Sequence, residues 1–171
     1  MDNSYLICKP ITEIATIERA QKDKLYPVGT CYIQVSACKR AGEKAWQIIT
    51  DKHQSIESKY AVVIPNIGIV PKYLFRALEA ATPEWHKKYV GTNINISMDA
   101  FEYLKIRYNP DILTQMQIVS YFESIDSEIE LIKEQIEGEK TIKKWFLHKM
   151  FPGKTEPRRI LRTPRNTGAI W

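Results

Sequence analysis

The feature that most constrains this fold is one long segment without an internal proline, from Tyr121 to Pro152, which contains only one glycine. It predicts a helix that begins near Leu113–Met116. Large apolar residues recur along this helix in alternating steps of four and three residues, which is the heptad period of a coiled coil. This apolar seam consists of Ile118, Phe122, Ile125, Ile129, Ile132 and Ile136.

The predicted helix is longer than the domain that precedes it. About 35 helical residues extend roughly 50 Å, whereas a domain of about 115 residues has a diameter of about 26 Å. Leaving the seam in water forfeits about 10 kcal/mol. Because the sequence has no second segment of comparable length, we expect the seam to pair with a helix of another chain. The alternative is that it packs on its own domain, as most amphipathic helices do.

Residues 1–115 predict a small mixed α/β domain, so the expected fold class is α+β with one long coiled-coil-forming helix. Every second residue from Cys31 to Ala37 is apolar, which indicates a half-buried strand. A helix is predicted to begin at Pro71 and to end before Pro83. Further strands are predicted in the segments AWQIIT, YAVVIPN, NINIS and LKIRYNP.

The formal net charge of +5 is distributed unevenly along the chain. Residues 116–150 contain seven acidic and five basic residues, whereas residues 151–171 contain one acidic and five basic residues. We therefore expect a polyanion to bind the N-terminal domain or the basic C-terminal tail rather than the helix. The alternative is that the charge serves solubility alone and that the tail is disordered.

The sequence also predicts where in the cell the protein is found. No apolar run approaches the roughly 20 residues that span a bilayer, and the N-terminus lacks the basic and apolar blocks of a secretory signal. Three cysteines, an odd number without metal-binding spacing, suit reduced thiols. These features predict a cytoplasmic protein with no membrane partner.

The search for a catalytic set finds no strong candidate. The sequence has no Gly-rich phosphate loop and no His-x-x-x-His or Cys-x-x-Cys pair, so no metal and no cofactor are expected. Asp51, Glu57 and Lys59 are similar to the triad of a metal-dependent nuclease, although their spacing is short for adjacent strands. We expect the protein not to be an enzyme, and the nuclease remains the alternative.

Two polar segments suit nucleic-acid binding. Basic side chains neutralise phosphates, and arginine, glutamine and asparagine can read base edges. For each residue alone, an ordinary solvated loop is the alternative interpretation. The candidate DNA-binding residues are Lys39, Arg40, Lys44, Gln47, Asn93 and Asn95.

Four segments together carry a family resemblance: ITEIATIERA, YPVGTCYIQVSA, YAVVIPN with the helix PKYLFRALEA, and the run GTNINISMDAFEYLKIRYNPDILTQMQIV. In the last of these, Leu104, Ile106 and Pro110 precede a glutamine and Ile-Val that open the long helix. In this order they resemble the specificity subunit of type I restriction–modification systems. The resemblance is most specific over residues 91–152.

The resemblance implies a target-recognition domain at 1–115, a spacer and dimerisation helix at 116–150, and a basic tail at 151–171. It implies double-stranded DNA, methyltransferase subunits and restriction subunits as partners, with all chemistry done by those subunits. Family members usually carry two recognition domains and two paired helices, so this chain resembles a half-length form. We therefore expect a homodimer, or pairing with another specificity chain, through Ile118–Ile136.

A two-fold dimer is expected to prefer a palindromic DNA site, because protein symmetry is mirrored in the site. The alternative that the sequence leaves open is a non-catalytic adaptor or regulator. Such a protein pairs with specificity or methyltransferase subunits without reading DNA sequence.

Overall fold

The computed structural model describes residues 6–36, 45–91 and 93–151. Its helices are α1 (Ile11–Ile14), α2 (Pro71–Trp85) and α3 (Ile112–Met150), with a π-helical turn at His86–Val90 and a 3₁₀ helix at Met98–Tyr103. The strands are β1 (Ile7–Pro10), β2 (Ala15–Arg19), β3 (Leu25–Tyr26), β4 (Cys31–Gln34), β5 (Gln47–Ile48), β6 (Gln54–Ser55), β7 (Tyr60–Pro65) and β8 (Lys105–Tyr108). The predicted α+β fold class with a long C-terminal helix is confirmed.

The chain forms two compact units, Met1–Ser124 and Ile125–Trp171. The first contains every described strand, helices α1 and α2, and the first residues of α3. The second contains the rest of α3. The domain boundaries expected from the sequence, after residues 115 and 150, stay predictions.

The centre of the first unit is an antiparallel four-stranded sheet in the order β2-β7-β4-β5. The apolar run Tyr60–Pro65 forms the inner strand β7, and its Val62 and Val63 are both fully buried. Two further antiparallel pairs flank this sheet, β1 with β8 and β3 with β6. The buried run predicted at YAVVIPN is therefore confirmed as a strand covered on both faces.

Each face of the central sheet belongs to its own apolar cluster. One face packs against α2, where Leu74, Leu78 and Trp85 meet Ile33 and Val63. The opposite face is covered by a smaller cluster, because strands alternate their side chains between faces. The buried members of that cluster are Ala20, Tyr26, Ile49, Ile56 and Val62.

The predicted end of α2 before Pro83 is wrong. The helix continues to Trp85 with Pro83 inside it, although an internal proline removes one helical hydrogen bond. The hydroxyl of Thr82 donates to the Leu78 carbonyl at 2.6 Å. Trp85 is 3% exposed and its indole N–H donates to the Ala100 carbonyl at 2.7 Å. Tertiary packing of Trp85 therefore offsets the local cost of the proline.

Gly29 lies in the turn before β4 and packs closely against the start of α2. Its φ is +87°, and a Cβ built there would lie 2.7 Å from Cβ and Cγ of Pro71. Its N–H donates to the Ile49 carbonyl at 2.8 Å. Only glycine combines this backbone conformation with so close an approach.

Gln115 fixes the first turn of α3 to the rest of the unit. The side chain is fully buried. Its Oε1 accepts the Val70 N–H at 2.8 Å, and its Nε2 donates to the carbonyls of Asn109 at 2.8 Å and Gly68 at 3.3 Å. One amide thus satisfies three backbone groups of two loops, which a buried polar side chain needs in order to be tolerated.

Asp111 caps the start of α3. Its Oδ2 accepts the Thr114 N–H at 2.8 Å and the Thr114 hydroxyl at 2.5 Å. The Thr114 side-chain hydrogen bond, followed by the backbone one, holds the pKa of Asp111 below its ordinary value. This is the usual arrangement at a helix N-cap, where the helix dipole also favours a carboxylate.

The cap predicts a pH dependence of stability. A depressed folded-state pKa contributes stability that is present above the ordinary aspartate pKa and is lost as the pH falls through the folded pKa. We expect Asp111→Asn to lower the thermal midpoint at pH 7 and to leave it unchanged at strongly acidic pH. Thermal unfolding followed by circular dichroism across pH checks this, with the exposed Asp51→Asn as control. A difference of constant size at every pH would contradict it.

Within the described ranges, no helix is both long enough and apolar enough to cross a membrane.

Candidate nucleic-acid interface

The first candidate DNA-binding segment lies between β4 and β5. Lys39, Arg40 and Lys44 fall outside the described residues. The strands on either side of them are paired antiparallel, with Tyr32 opposite Gln47. Gln47 is exposed, so its side chain amide is accessible at this edge of the sheet.

Both sides of this segment are anchored to the unit. On one side, the N–H groups of Val35 and Ser36 donate to the Lys59 carbonyl at 2.9 and 3.2 Å. On the other side, the indole N–H of Trp46 donates to the Thr82 hydroxyl at 2.6 Å, and Trp46 is 5% exposed. A rigid scaffold with fixed attachment points is the usual setting of a binding loop.

The second candidate segment is hydrogen-bonded to Val35, just after β4. The N–H of Ile96 donates to the Val35 carbonyl at 2.8 Å, and Asn93 and Asn95 are exposed. No strand forms at the NINIS segment, although one was predicted there. The hydrogen bond from Ile96 to Val35, just after β4, and the burial of Ile96 contribute to holding the segment. The structure thus brings the segment of Asn93 and Asn95 close to the end of β4.

The sequence interpretation missed an aromatic patch on the same sheet. Tyr32, opposite Gln47, meets Tyr60 edge-on, with ring centroids 5.4 Å apart. The ammonium group of Lys59 lies 5.5 Å from the centre of the Tyr60 ring. Burial, and then the neighbouring Tyr60, raises the pKa of Tyr32. The period-two pattern that buried Cys31 also places Tyr32 on the opposite face, so the signal was present.

Arg19, on the opposite edge strand β2, is a further basic residue and acts as a brace. Its Nε donates to the Ser58 carbonyl at 2.8 Å, and its terminal nitrogen donates to the Ser36 hydroxyl. The guanidinium therefore links the end of β2 to the strand that leads into residues 37–44. Its position at the last residue of β2 became apparent only from the strand pairing.

The nuclease alternative finds no support in the geometry. Among the residues that the structure describes, no group of three His, Cys, Asp or Glu side chains is arranged to hold a metal ion. Lys59 pairs with Glu57 at 2.8 Å, and this hydrogen bond raises the pKa of Lys59. A lysine that activates water needs a lowered pKa.

The first residues of the seam are partly covered within the first unit. Ile118 is half-buried, and Phe122, 39% exposed, lies 5.6 Å from the Arg76 guanidinium of α2. Lys72 forms an ion pair with Glu123. The alternative of packing on its own domain therefore applies in part to the beginning of the seam.

In the second unit the seam is open. Ile125 is half-buried, and Ile129, Ile132 and Ile136 are 44, 48 and 46% exposed. The polar side of this stretch carries ion pairs, such as that between Lys133 and Glu130. An apolar stripe flanked by charged residues is typical of a helix that forms a coiled coil.

Solved structures share this fold. An HsdS subunit from Thermoanaerobacter tengcongensis matches at a TM-score of 0.60 and 14% identity over 79% of this chain and 41% of its own. The S subunit of a type I restriction-modification system from M. genitalium matches at 0.56 and 13% identity over 89% and 47%. A chain from a structure on complex assembly and conformational transition of the type I R-M system matches at 0.67 and 16% identity over 85% and 44%.

The fold of this chain, an α/β unit followed by one long helix, is therefore similar to part of these solved structures. The model of the type I restriction modification DNA specificity domain matches residues 9–139, and the chain belongs to this family, as its segment order indicated. The chain spans less than half the length of each of these solved structures. No curated protein gives a significant match.

Proposed function

We propose that this chain recognises a specific double-stranded DNA sequence and directs partner methyltransferase and restriction subunits to it in the cytoplasm. The family match over residues 9–139 carries the proposal, because it spans both candidate DNA-binding segments and the start of the long helix. In this proposal the chain performs no chemistry itself. The partner subunits modify or cleave the DNA.

The geometry of the first unit supports a division of labour. Lys39, Arg40 and Lys44 contact phosphates, which fixes the register, while Gln47, Asn93 and Asn95 contact base edges. Their support is the anchored attachment of residues 37–44 and the bond between Ile96 and Val35.

The second unit supports pairing with a second copy of this chain. Ile129, Ile132 and Ile136 are nearly half exposed at heptad spacing, and an identical helix offers the same spacing in return. The resulting two-fold dimer would present two recognition units to a palindromic site. A second specificity chain of another kind could take the same place.

Selection of bound DNA from a random pool tests the proposed recognition. We expect the chain to enrich one two-part motif, with binding at least about 10³-fold tighter than to random DNA. Gln47→Ala should relax the preference at one position, by about 1–3 kcal/mol for a lost base contact. Gln54→Ala, an exposed glutamine on β6, serves as the matched control and should leave the motif intact.

The open seam also favours a second candidate function, an adaptor that pairs with specificity or methyltransferase subunits without reading DNA. An exposed helical stripe serves such pairing as well as it serves dimerisation. The same selection separates the two functions. Failure to enrich any motif, also with the methyltransferase present, would leave the adaptor and overturn DNA recognition.

A further inference from the structure

A groove in the first unit lies outside the candidate segments discussed above. It has a volume of about 470 Å³ and opens between α2, the π-helical turn and the β1–β8 pair. Ala77, Ala80 and Ala81 of α2 line one wall. Three small side chains allow a bulky ligand to approach the helix backbone closely.

The opposite wall is basic. Lys105 and Arg107 are exposed on β8, while Ile106 between them is fully buried, so both cations stand on the groove side of the strand. Lys88 of the π-helical turn adds a third exposed cation. Within residues 6–36, 45–91 and 93–151, none of these three forms an ion pair, and Glu84 is the acidic residue in the lining.

Two tyrosines form the end of the groove. The rings of Tyr89 and Tyr103 are stacked, with centroids 4.9 Å apart and planes inclined by 12°. They are 39% and 55% exposed. The Lys88 ammonium lies 5.2 Å from the centre of the Tyr89 ring. The stack holds two phenol groups side by side next to a cation.

The lysine, arginine and tyrosine side chains of this groove all suit a phosphate ligand. Lysine, arginine and tyrosine hydroxyl are all donors that proteins use towards phosphate oxygens. Three cations around one opening repel each other, because the nearby Glu84 can offset only one of them. A ligand with at least two negative charges relieves this repulsion, and a run of phosphates provides them.

We propose that this groove binds backbone phosphates of the DNA on which the first unit acts, outside the bases that it reads. The inference rests on the proposed function. Continuity along the chain supports it, because the π-helical turn with Lys88 and Tyr89 ends at Val90 and is followed by Gly91, whose φ is +60°. The chain then passes directly into the segment of Asn93 and Asn95. The groove wall and the second candidate segment are thus consecutive.

The experiment measures DNA affinity against salt concentration. Each phosphate contact contributes about 0.9 to the slope of log K against log salt. The triple variant Lys88→Ala, Lys105→Ala, Arg107→Ala should reduce the slope by about 2–3. Affinity should fall roughly 10–100-fold at moderate salt, by the same factor for the selected motif and for random DNA.

Two further variants make the result interpretable. The charge-conserving triple Lys88→Arg, Lys105→Arg, Arg107→Lys should keep the wild-type slope. This variant shows whether a lower slope in the alanine triple comes from the lost charges or from altered folding. The control Lys133→Ala, Lys140→Ala, Lys144→Ala removes three charges from α3 and should leave the slope unchanged. Circular dichroism verifies that each variant folds.

The outcomes separate this proposal from the proposed function. An unchanged slope together with the wild-type motif overturns the groove as a phosphate site while sequence recognition stands; that result would leave an acidic protein segment as its ligand. If wild type enriches no motif, sequence recognition fails. The slope of log K against log salt, measured on random DNA, then still shows whether the groove binds phosphates.

Discussion

The double variant Ile129→Glu, Ile136→Glu is expected to convert a dimer of about 40 kDa, twice the chain mass of 19.9 kDa, into a monomer. In the proposed dimer each new carboxylate would be buried in the pairing seam, where an unpaired charge costs several kcal/mol. We expect association to weaken at least about 100-fold, which corresponds to about 2.7 kcal/mol. Light scattering over a range of protein concentrations measures this.

A matched control carries the same two charges on the other side of the helix. Ser127 and Thr141 lie off the seam in the heptad register, so Ser127→Glu, Thr141→Glu should remain dimeric. Circular dichroism should show similar helix content in both variants. A wild-type chain that stays at 19.9 kDa at high concentration would refute the dimer.

The second large effect is expected for Gln115→Ala. The substitution leaves the Val70 N–H and the carbonyls of Gly68 and Asn109 without their partner in a buried place. Unsatisfied buried groups cost about 1–3 kcal/mol each, partly relieved by water. We expect a loss of about 3 kcal/mol and a decrease of roughly 10 °C in the thermal midpoint.

Gln117→Ala is the matched control for this substitution. Gln117 lies two residues further along α3 and is exposed, so the free energy of unfolding should change by less than about 0.5 kcal/mol. Urea denaturation of both variants provides the comparison. Equal destabilisation by the two would show that the buried hydrogen bonds of Gln115 contribute little.

Strands β4, β5, β7 and β8 and the long helix could be predicted because each follows a local pattern, whereas β1, β2, β3 and β6 were not predicted. The alternation around Cys31 gave β4, and the charged heptad stretch gave α3. The end of α2 could not be predicted, because the burial of Trp85 against residues far along the chain decided it. NINIS alternates like a strand, yet it lacks a paired neighbour. A local sequence pattern cannot show whether a neighbouring strand is available for pairing.

The candidate interface was predictable only in part, for the same reason. Asn93 and Gln47 could be named as polar loop residues, but the bond that places Ile96 beside Val35 is a tertiary contact. The groove was missed entirely. Lys88 and Arg107 are separated along the chain, and the pairing of β1 with β8 gives Arg107 its exposed face.

That pairing has a further consequence. Ile7 lies directly opposite Tyr108, so the part of the first unit between these two residues begins and ends on neighbouring strands, about 5 Å apart. Under the proposed function, residues 7–108 could therefore be exchanged as one cassette for another DNA-recognition domain, joined at the same two ends while α3 continues. In that proposal the DNA preference would change while the helix proposed for pairing keeps its sequence.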